Sequence, residues 1–232
     1  MHISHDASEL HAATLCVGLD TTPEKLPEGI AKNLDGMVEF NKQIIAATAD
    51  LCSSYKINFA FYEQYGSAGV AAMEKTLEAI PSTHVRIADA KRGDIGNTAE
   101  AYARSVFEAM DFDAVTVNPY MGKDTVQPFL NYENKLVFVL ALTSNPGSQD
   151  FQKRLIDGVP LFLHVMRSAC SWERRGALGF VVGATNPREL RSLRDEFMQT
   201  PLLIPGVGAQ GADAAEIREA NAGGPAFVNS SR

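Results

Sequence analysis

No stretch of this chain approaches the roughly 20 consecutive apolar residues that cross a bilayer. The lead-in "MHISHDASELHAATL" also lacks an apolar core behind a basic start. The expectation is a protein without a membrane anchor. Basic blocks are missing as well: 21 Lys and Arg stand against 28 Asp and Glu, a net charge of −7. Such a chain carries no electrostatic footprint for nucleic acid or an acidic membrane, so any anionic ligand must be held by local donors. Cysteine is sparse, and Cys16, Cys52 and Cys170 are scattered, odd in number and without metal-ligand spacing. That argues against a disulfide framework or a zinc site and makes a reducing cytoplasm the expected compartment. His2, His5 and His11 sit in the polar lead-in and read as solvated surface residues. No linker, low-complexity tract or charge block divides the chain, so residues 1–232 read as one domain.

What is present is an alternating pattern. Hydrophobic residues make up 45% of the chain and charged residues 21%, the balance of a folded globular protein. Short β-branched runs recur at 14–20, 52–61, 84–91, 113–120, 136–144, 178–185, 201–208 and 226–232. Between them lie segments such as "GNTAEAYARSVFEAM", "PLFLHVMRSACSWERR", "NPRELRSLRDEFM" and "GADAAEIREA", with apolar residues at three- and four-residue intervals. Eight strands with intervening helices in a chain of this length predict an α/β protein, a single (β/α)8 or TIM barrel. A doubly wound open sheet is the alternative. Because the sequence stops at Arg232, directly after the eighth predicted strand, the expected barrel lacks the helix that would cover that strand.

In a barrel of this kind the active site lies at the C-terminal ends of the strands. Ionisable and polar residues collect there: Asp20 on the first, Lys56 on the second, Asp89 and Lys91 on the third, Thr143 and Ser144 on the fifth, Arg232 on the eighth. The densest stretch is "DAKRGDIGNT", Asp89 to Thr98. Side chains of a strand alternate faces, so Asp89 and Lys91 share a side, Arg92 points away, and Gly93 lets the chain turn out before Asp94. A nearby carboxylate favours the protonated form of a lysine, which suits donation of a proton to a strongly basic intermediate. Taken alone, Asp-x-Lys at a strand end also reads as a structural ion pair. Gathering several opposed charges at a barrel mouth is costly unless they are paired, and that favours a ligand or a reaction that uses them.

The stretch resembles the catalytic signature of the orotidine 5'-phosphate decarboxylases. The resemblance extends in order through "LCVGLD", "YKINFAFYEQYG", "TVNPYMG", "TSNPGSQDFQ", "GFVVGAT", "PGVGAQG" and "VNSSR". It is similar to the branch of that family with "NPG" after the fifth strand and a "VNSSR" ending. The resemblance implies removal of the C6 carboxylate from orotidine 5'-phosphate, without cofactor or metal, to give uridine 5'-phosphate and carbon dioxide. It implies that Lys91 stabilises and then protonates the C6 carbanion, with Asp89 beside the departing carboxylate and Lys56 completing an alternating charge row. It also implies a homodimer in which Asp94, Ile95 and Thr98 reach the neighbouring subunit's site. Asp20 and Lys56 match positions that contact the ribose hydroxyls, and Ser144 matches the residue that reads the pyrimidine edge. Gln210 and Arg232 match the phosphate contacts, and "NPGSQDFQ" with the loop around Gln210 are the candidates for closure over substrate.

Two other readings stand beside this one. A phosphate-binding barrel with a similar Asp-x-Lys-x-x-Asp strand end can stabilise an enediolate with magnesium. A nucleotide-binding barrel without catalysis is the second, and the intact charged set argues against it.

Overall fold

The computed structural model describes residues 13–183, 187–206 and 214–231. Barrel strands run β1 (Ala13–Gly18), β2 (Ser54–Asn58), β3 (Val85–Arg92), β4 (Ala114–Val117) and β5 (Leu136–Leu142). A short antiparallel hairpin follows, β6 (Leu155–Ile156) with β7 (Val159–Pro160), and the barrel resumes with β8 (Ala177–Val182), β9 (Leu202–Ile204) and β10 (Ala226–Ser230). The eight barrel strands are all parallel and close in the order β1-β10-β9-β8-β5-β4-β3-β2. Pairing of β1 with β10 rules out the open sheet. The helices that link them are α1 (Leu34–Thr48), α2 (Ala60–Glu63), α3 (Gly66–Glu78), α4 (Gly96–Arg104), α5 (Lys123–Leu130), α6 (Leu161–Cys170), α7 (Pro187–Glu196) and α8 (Ala214–Ala220). None of the described helices is long and apolar enough to cross a membrane.

Strands buried on both faces need near-continuous apolar runs. In β8, "ALGFVV" is buried throughout, and in β5, "LVFVLAL" is buried at all but Leu140. Period-two alternation sorts these residues into two cores. Cys16, Ile87, Ala114, Leu136, Phe138, Val181, Leu203 and Phe227 fill the barrel interior, where the Phe138 and Phe227 rings meet edge to face at 5.6 Å. Their sequence neighbours, among them Val17, Tyr55, Ala88, Val115, Val137 and Val139, pack outward under the helices. Gly179 is required because a Cβ there would lie 2.8 Å from the Phe138 ring.

On five of the eight strands the inward column ends in polar residues at the C-terminal mouth. Cys16 leads to Asp20, Ser54 to Lys56, Ile87 to Asp89, Ala114 to Thr116, and Phe227 to Asn229 and Ser231. A largely apolar lower barrel thereby carries a charged upper mouth.

Two features were not anticipated from sequence. The connection from β5 to α6 contains the β6–β7 hairpin, whose "DG" turn places Asp157 and Gly158 at φ 52° and 79°. Positive φ at both turn residues matches the twist of a two-residue hairpin. At the opposite end, the wholly buried Arg194 donates to Asn221 Oδ1 (2.8 Å) and to the carbonyls of Phe197 (3.0 Å), Thr200 (2.7 Å) and Pro225 (2.7 Å). It thus ties the end of α7 to the starts of β9 and β10, and burial pulls its pKa down to about 10.

Candidate active site

Four ionisable groups form an alternating row across the mouths of β1, β2 and β3. Lys56 Nζ donates to Asp20 Oδ2 at 3.0 Å and lies 3.3 Å from Asp89 Oδ2. Lys91 Nζ donates to Asp89 Oδ1 at 2.5 Å. The order is therefore Asp20, Lys56, Asp89, Lys91. The row is buried except at its Lys91 end: the Lys56 side chain is 4% exposed and that of Lys91 45%. Burial is the largest influence on Lys56 and works to lower its pKa, yet Asp20 and Asp89 together hold it above the ordinary lysine value. Asp89 shows the mirror case. Burial pulls its pKa up, and Lys56 and Lys91 overcome that and hold it below the ordinary carboxylate value. Below the row, burial pushes the Cys16 thiol up to about 12, leaving it a neutral filler.

Each carboxylate is also fixed by neutral donors. Asp20 Oδ1 accepts from the Asn58 amide at 3.0 Å, and its Oδ2 accepts from Ser231 Oγ at 2.9 Å. Ser231 accepts in turn from Asn229 Nδ2 at 2.9 Å. Gly18 makes this contact possible, since a Cβ there would fall 2.0 Å from Ser231 Oγ. Asp89 Oδ1 accepts from Thr116 Oγ1 at 3.1 Å.

Lys91 and Asp89 do meet, but not through unbroken strand alternation. β3 bulges against β4 between Ala88 and Arg92, and Lys91 takes a left-handed conformation at φ 47°. Arg92 turns outward, as expected, into a slot between Phe59 and Tyr102, its guanidinium 5.4 and 5.1 Å from the two ring centres, and pairs with Glu63. The next turn is therefore anchored from its outer side. Gly93 passes close to β4, where a Cβ would lie 3.1 Å from the Asn118 carbonyl.

Asp94, Ile95 and Thr98 follow on this turn and the first turn of α4. Asp94 Oδ1 accepts from the Ile95 amide at 2.8 Å, and among the described residues Asp94 has no ion-pair partner. Ile95 and Thr98 are exposed. At the end of β5, Ser144 packs against Gly183, where a Cβ would lie 2.8 Å from the Ser144 amide nitrogen. The adjoining loop is pinned by Gln152, whose side chain accepts from the Thr143 amide at 2.7 Å and donates to its hydroxyl at 2.9 Å. Gln210 and Arg232, expected at the phosphate, lie outside the described residues.

Thr116, Ser231 and Asn229 were given no role from sequence. Thr116 had a local signal, a hydroxyl in the otherwise apolar "AVTV". Ser231 had none, because it meets Asp20 only through closure of β10 onto β1.

A closed parallel barrel with alternating ammonium and carboxylate groups at its C-terminal mouth defines an enzyme-type (β/α)8 barrel. Known proteins of similar sequence and fold belong to the same class. The sequence profile described as "Orotidine 5'-phosphate decarboxylase / HUMPS family" matches residues 13–231, and the chain belongs to that family. It is similar to the orotidine 5'-phosphate decarboxylase of Herpetosiphon aurantiacus, 46% identical over 97% of this chain and 85% of the relative. It is similar also to that of Porphyromonas gingivalis, 49% identical over 94% of this chain and 81% of the relative. Among solved structures, Leishmania donovani OMP decarboxylase is 36% identical, with a TM-score of 0.82 over 96% of this chain and 87% of its own.

Proposed function

We propose that this chain converts orotidine 5'-phosphate to uridine 5'-phosphate and carbon dioxide, a step of pyrimidine nucleotide synthesis, as the names of its relatives indicate. The observation that carries the reading is the Asp20–Lys56–Asp89–Lys91 row. Cleavage of the bond from C6 to the carboxylate leaves an electron pair at C6 with little resonance stabilisation. On this reading the Lys91 ammonium opposes that charge and then transfers a proton from Nζ to C6. Charge aimed where it develops in the transition state is the largest source of catalysis in such sites. Asp89 sits beside the departing carboxylate, and its bond to Lys91 keeps the ammonium in place. Lys56, bonded to both acids, holds the row in register and with Asp20 faces the ribose hydroxyls.

Both carboxylates of the row are already bonded to ammonium groups, which favours this chemistry over a magnesium-held enediolate. Ser144 reads the pyrimidine edge, while Gln210 and Arg232 take the phosphate. The active form is a homodimer in which Asp94, Ile95 and Thr98 enter the partner's site. Exposed Ile95 and Met121 and the 80% exposed Tyr120 supply apolar surface beside that turn. The free thiols of Cys16, Cys52 and Cys170 fit a reducing compartment such as the cytoplasm.

The test is turnover followed by the absorbance change of the pyrimidine, with and without EDTA. Activity indifferent to EDTA and abolished in Lys91→Ala is the expected result. Loss of activity with EDTA, or substantial turnover by Lys91→Ala, overturns the reading.

A further inference from the structure

Ladder pairing between β3 and β4 is interrupted where the charge row begins. Ile87 and Ala88 pair with Ala114 and Val115, and pairing resumes only at Arg92 with Val117. The chain between Ala88 and Arg92 thus bulges opposite a single residue, Thr116. Within the bulge Lys91 sits at φ 47°, a conformation disfavoured for any residue with a Cβ. Something must hold it there. The Lys91 amide donates to Thr116 Oγ1 at 2.9 Å, and Thr116 Oγ1 donates to Asp89 Oδ1 at 3.1 Å.

The two bonds are linked by proton counting. A hydroxyl has one proton, so an oxygen that accepts from the Lys91 amide is left with its own proton to give, and the acceptor within reach is Asp89. Thr116 is fully buried, between Val115 and Val117. Packing and strand propensity at such a position are met by valine, and the hydroxyl is what requires explanation.

We infer that Thr116 is a positioning residue for the reaction: one hydroxyl fixes the Lys91 backbone in the bulge and the Asp89 carboxylate that receives the Lys91 ammonium. It touches no reacting atom. This inference rests on the catalytic roles of Asp89 and Lys91. A misplacement of about 1 Å at reacting groups costs on the order of 10²-fold in rate, which sets the expected effect.

The experiment compares the parent chain with Thr116→Val, Thr116→Ser and Lys91→Ala, measuring kcat on orotidine 5'-phosphate and the Kd of uridine 5'-phosphate. Thr116→Val keeps the volume and loses the hydroxyl; its kcat falls about 10²-fold while the Kd moves no more than about threefold. Thr116→Ser keeps the hydroxyl and recovers kcat to within about fivefold of the parent. Wild-type kcat in Thr116→Val, or equal losses of kcat and binding in both variants, overturns the inference. Should Thr116→Val fail to fold, Thr116→Ala replaces it with the same two outcomes. An inactive parent or an active Lys91→Ala overturns the catalytic reading itself. With those two as expected and Thr116→Val unimpaired, only the role of Thr116 falls.

Discussion

Asp89→Asn removes one negative charge from between two ammonium groups at nearly constant shape. Lys56 Nζ lies 3.3 Å from Asp89 Oδ2, a separation worth about 5 kcal/mol of attraction at an effective dielectric of ~20. Desolvation offsets much of that in the intact pair, but breaking a buried pair from one side strands the other charge, at about 3–5 kcal/mol. The Lys56 side chain is 4% exposed, so water does not replace Asp89, and Asp20 is left as its one carboxylate partner among the described residues. Lys91 is 45% exposed, and solvent screening makes its share of the loss small. The lower figure, ~3 kcal/mol, is the better expectation because Lys56 keeps its bond to Asp20 and asparagine still accepts from Thr116. For a chain of this size that corresponds to a Tm decrease of about 6–12 °C.

The pH dependence follows from the direction of the Asp89 shift. Its folded pKa lies below the ordinary carboxyl value, so its contribution is present above that value and is lost only as pH falls through the lowered one. The Tm difference between parent and Asp89→Asn is therefore constant from pH 7 to about 4.5 and narrows only below the ordinary value of 3.8. On the proposed mechanism kcat falls by about 10²–10³-fold. Calorimetry across this pH range, paired with the absorbance assay at pH 7, reads both effects. A Tm within about 2 °C of the parent, or a deficit that starts shrinking at pH 6, refutes the buried-row argument.

Mixing inactive Asp94→Ala and Lys91→Ala subunits restores activity, since a heterodimer contains one intact site if Asp94 acts across the interface; no recovery after demonstrated subunit exchange counts against it. Ser231→Ala removes a donor to Asp20 and raises KM about 3–10-fold, the value of one hydrogen bond, with kcat nearly kept. Steady-state kinetics with unchanged KM would deny Ser231 that function. In Gly224→Ala the new Cβ would lie 2.6 Å from Arg194 Cζ, so ~2 kcal/mol of strain lowers Tm by about 4–8 °C without changing KM. A thermal midpoint equal to that of the parent would show that the Arg194 clamp yields freely.

Much of the architecture was legible locally. Burial on both faces selects β-branched runs such as "LVFVLAL", and the spacing of apolar residues selects the helices between them. Boundaries shifted where local geometry intervened: the predicted strand 52–61 shortens to Ser54–Asn58 because Ala60–Glu63 turns into α2. The "DG" of the β6–β7 hairpin is a turn signal carried by the local sequence. The bulge at Lys91 had no such signal, because nothing about a lysine announces a left-handed backbone.

By itself the sequence determined the alternation of strands and helices, the apolar lower columns, and which strand ends carry charge, because these depend on side-chain periodicity along a single segment. Tertiary structure decided which of those ends meet. Ser231 reaches Asp20 across 211 positions, and Lys56 reaches Asp20 and Asp89 on strands to either side of it, through closure of the barrel. Thr116 acquires its place only because β4 lies against the bulge in β3. Periodicity tells a side chain which face to take, and strand order and register, set by packing of the whole barrel, tell it whom it faces.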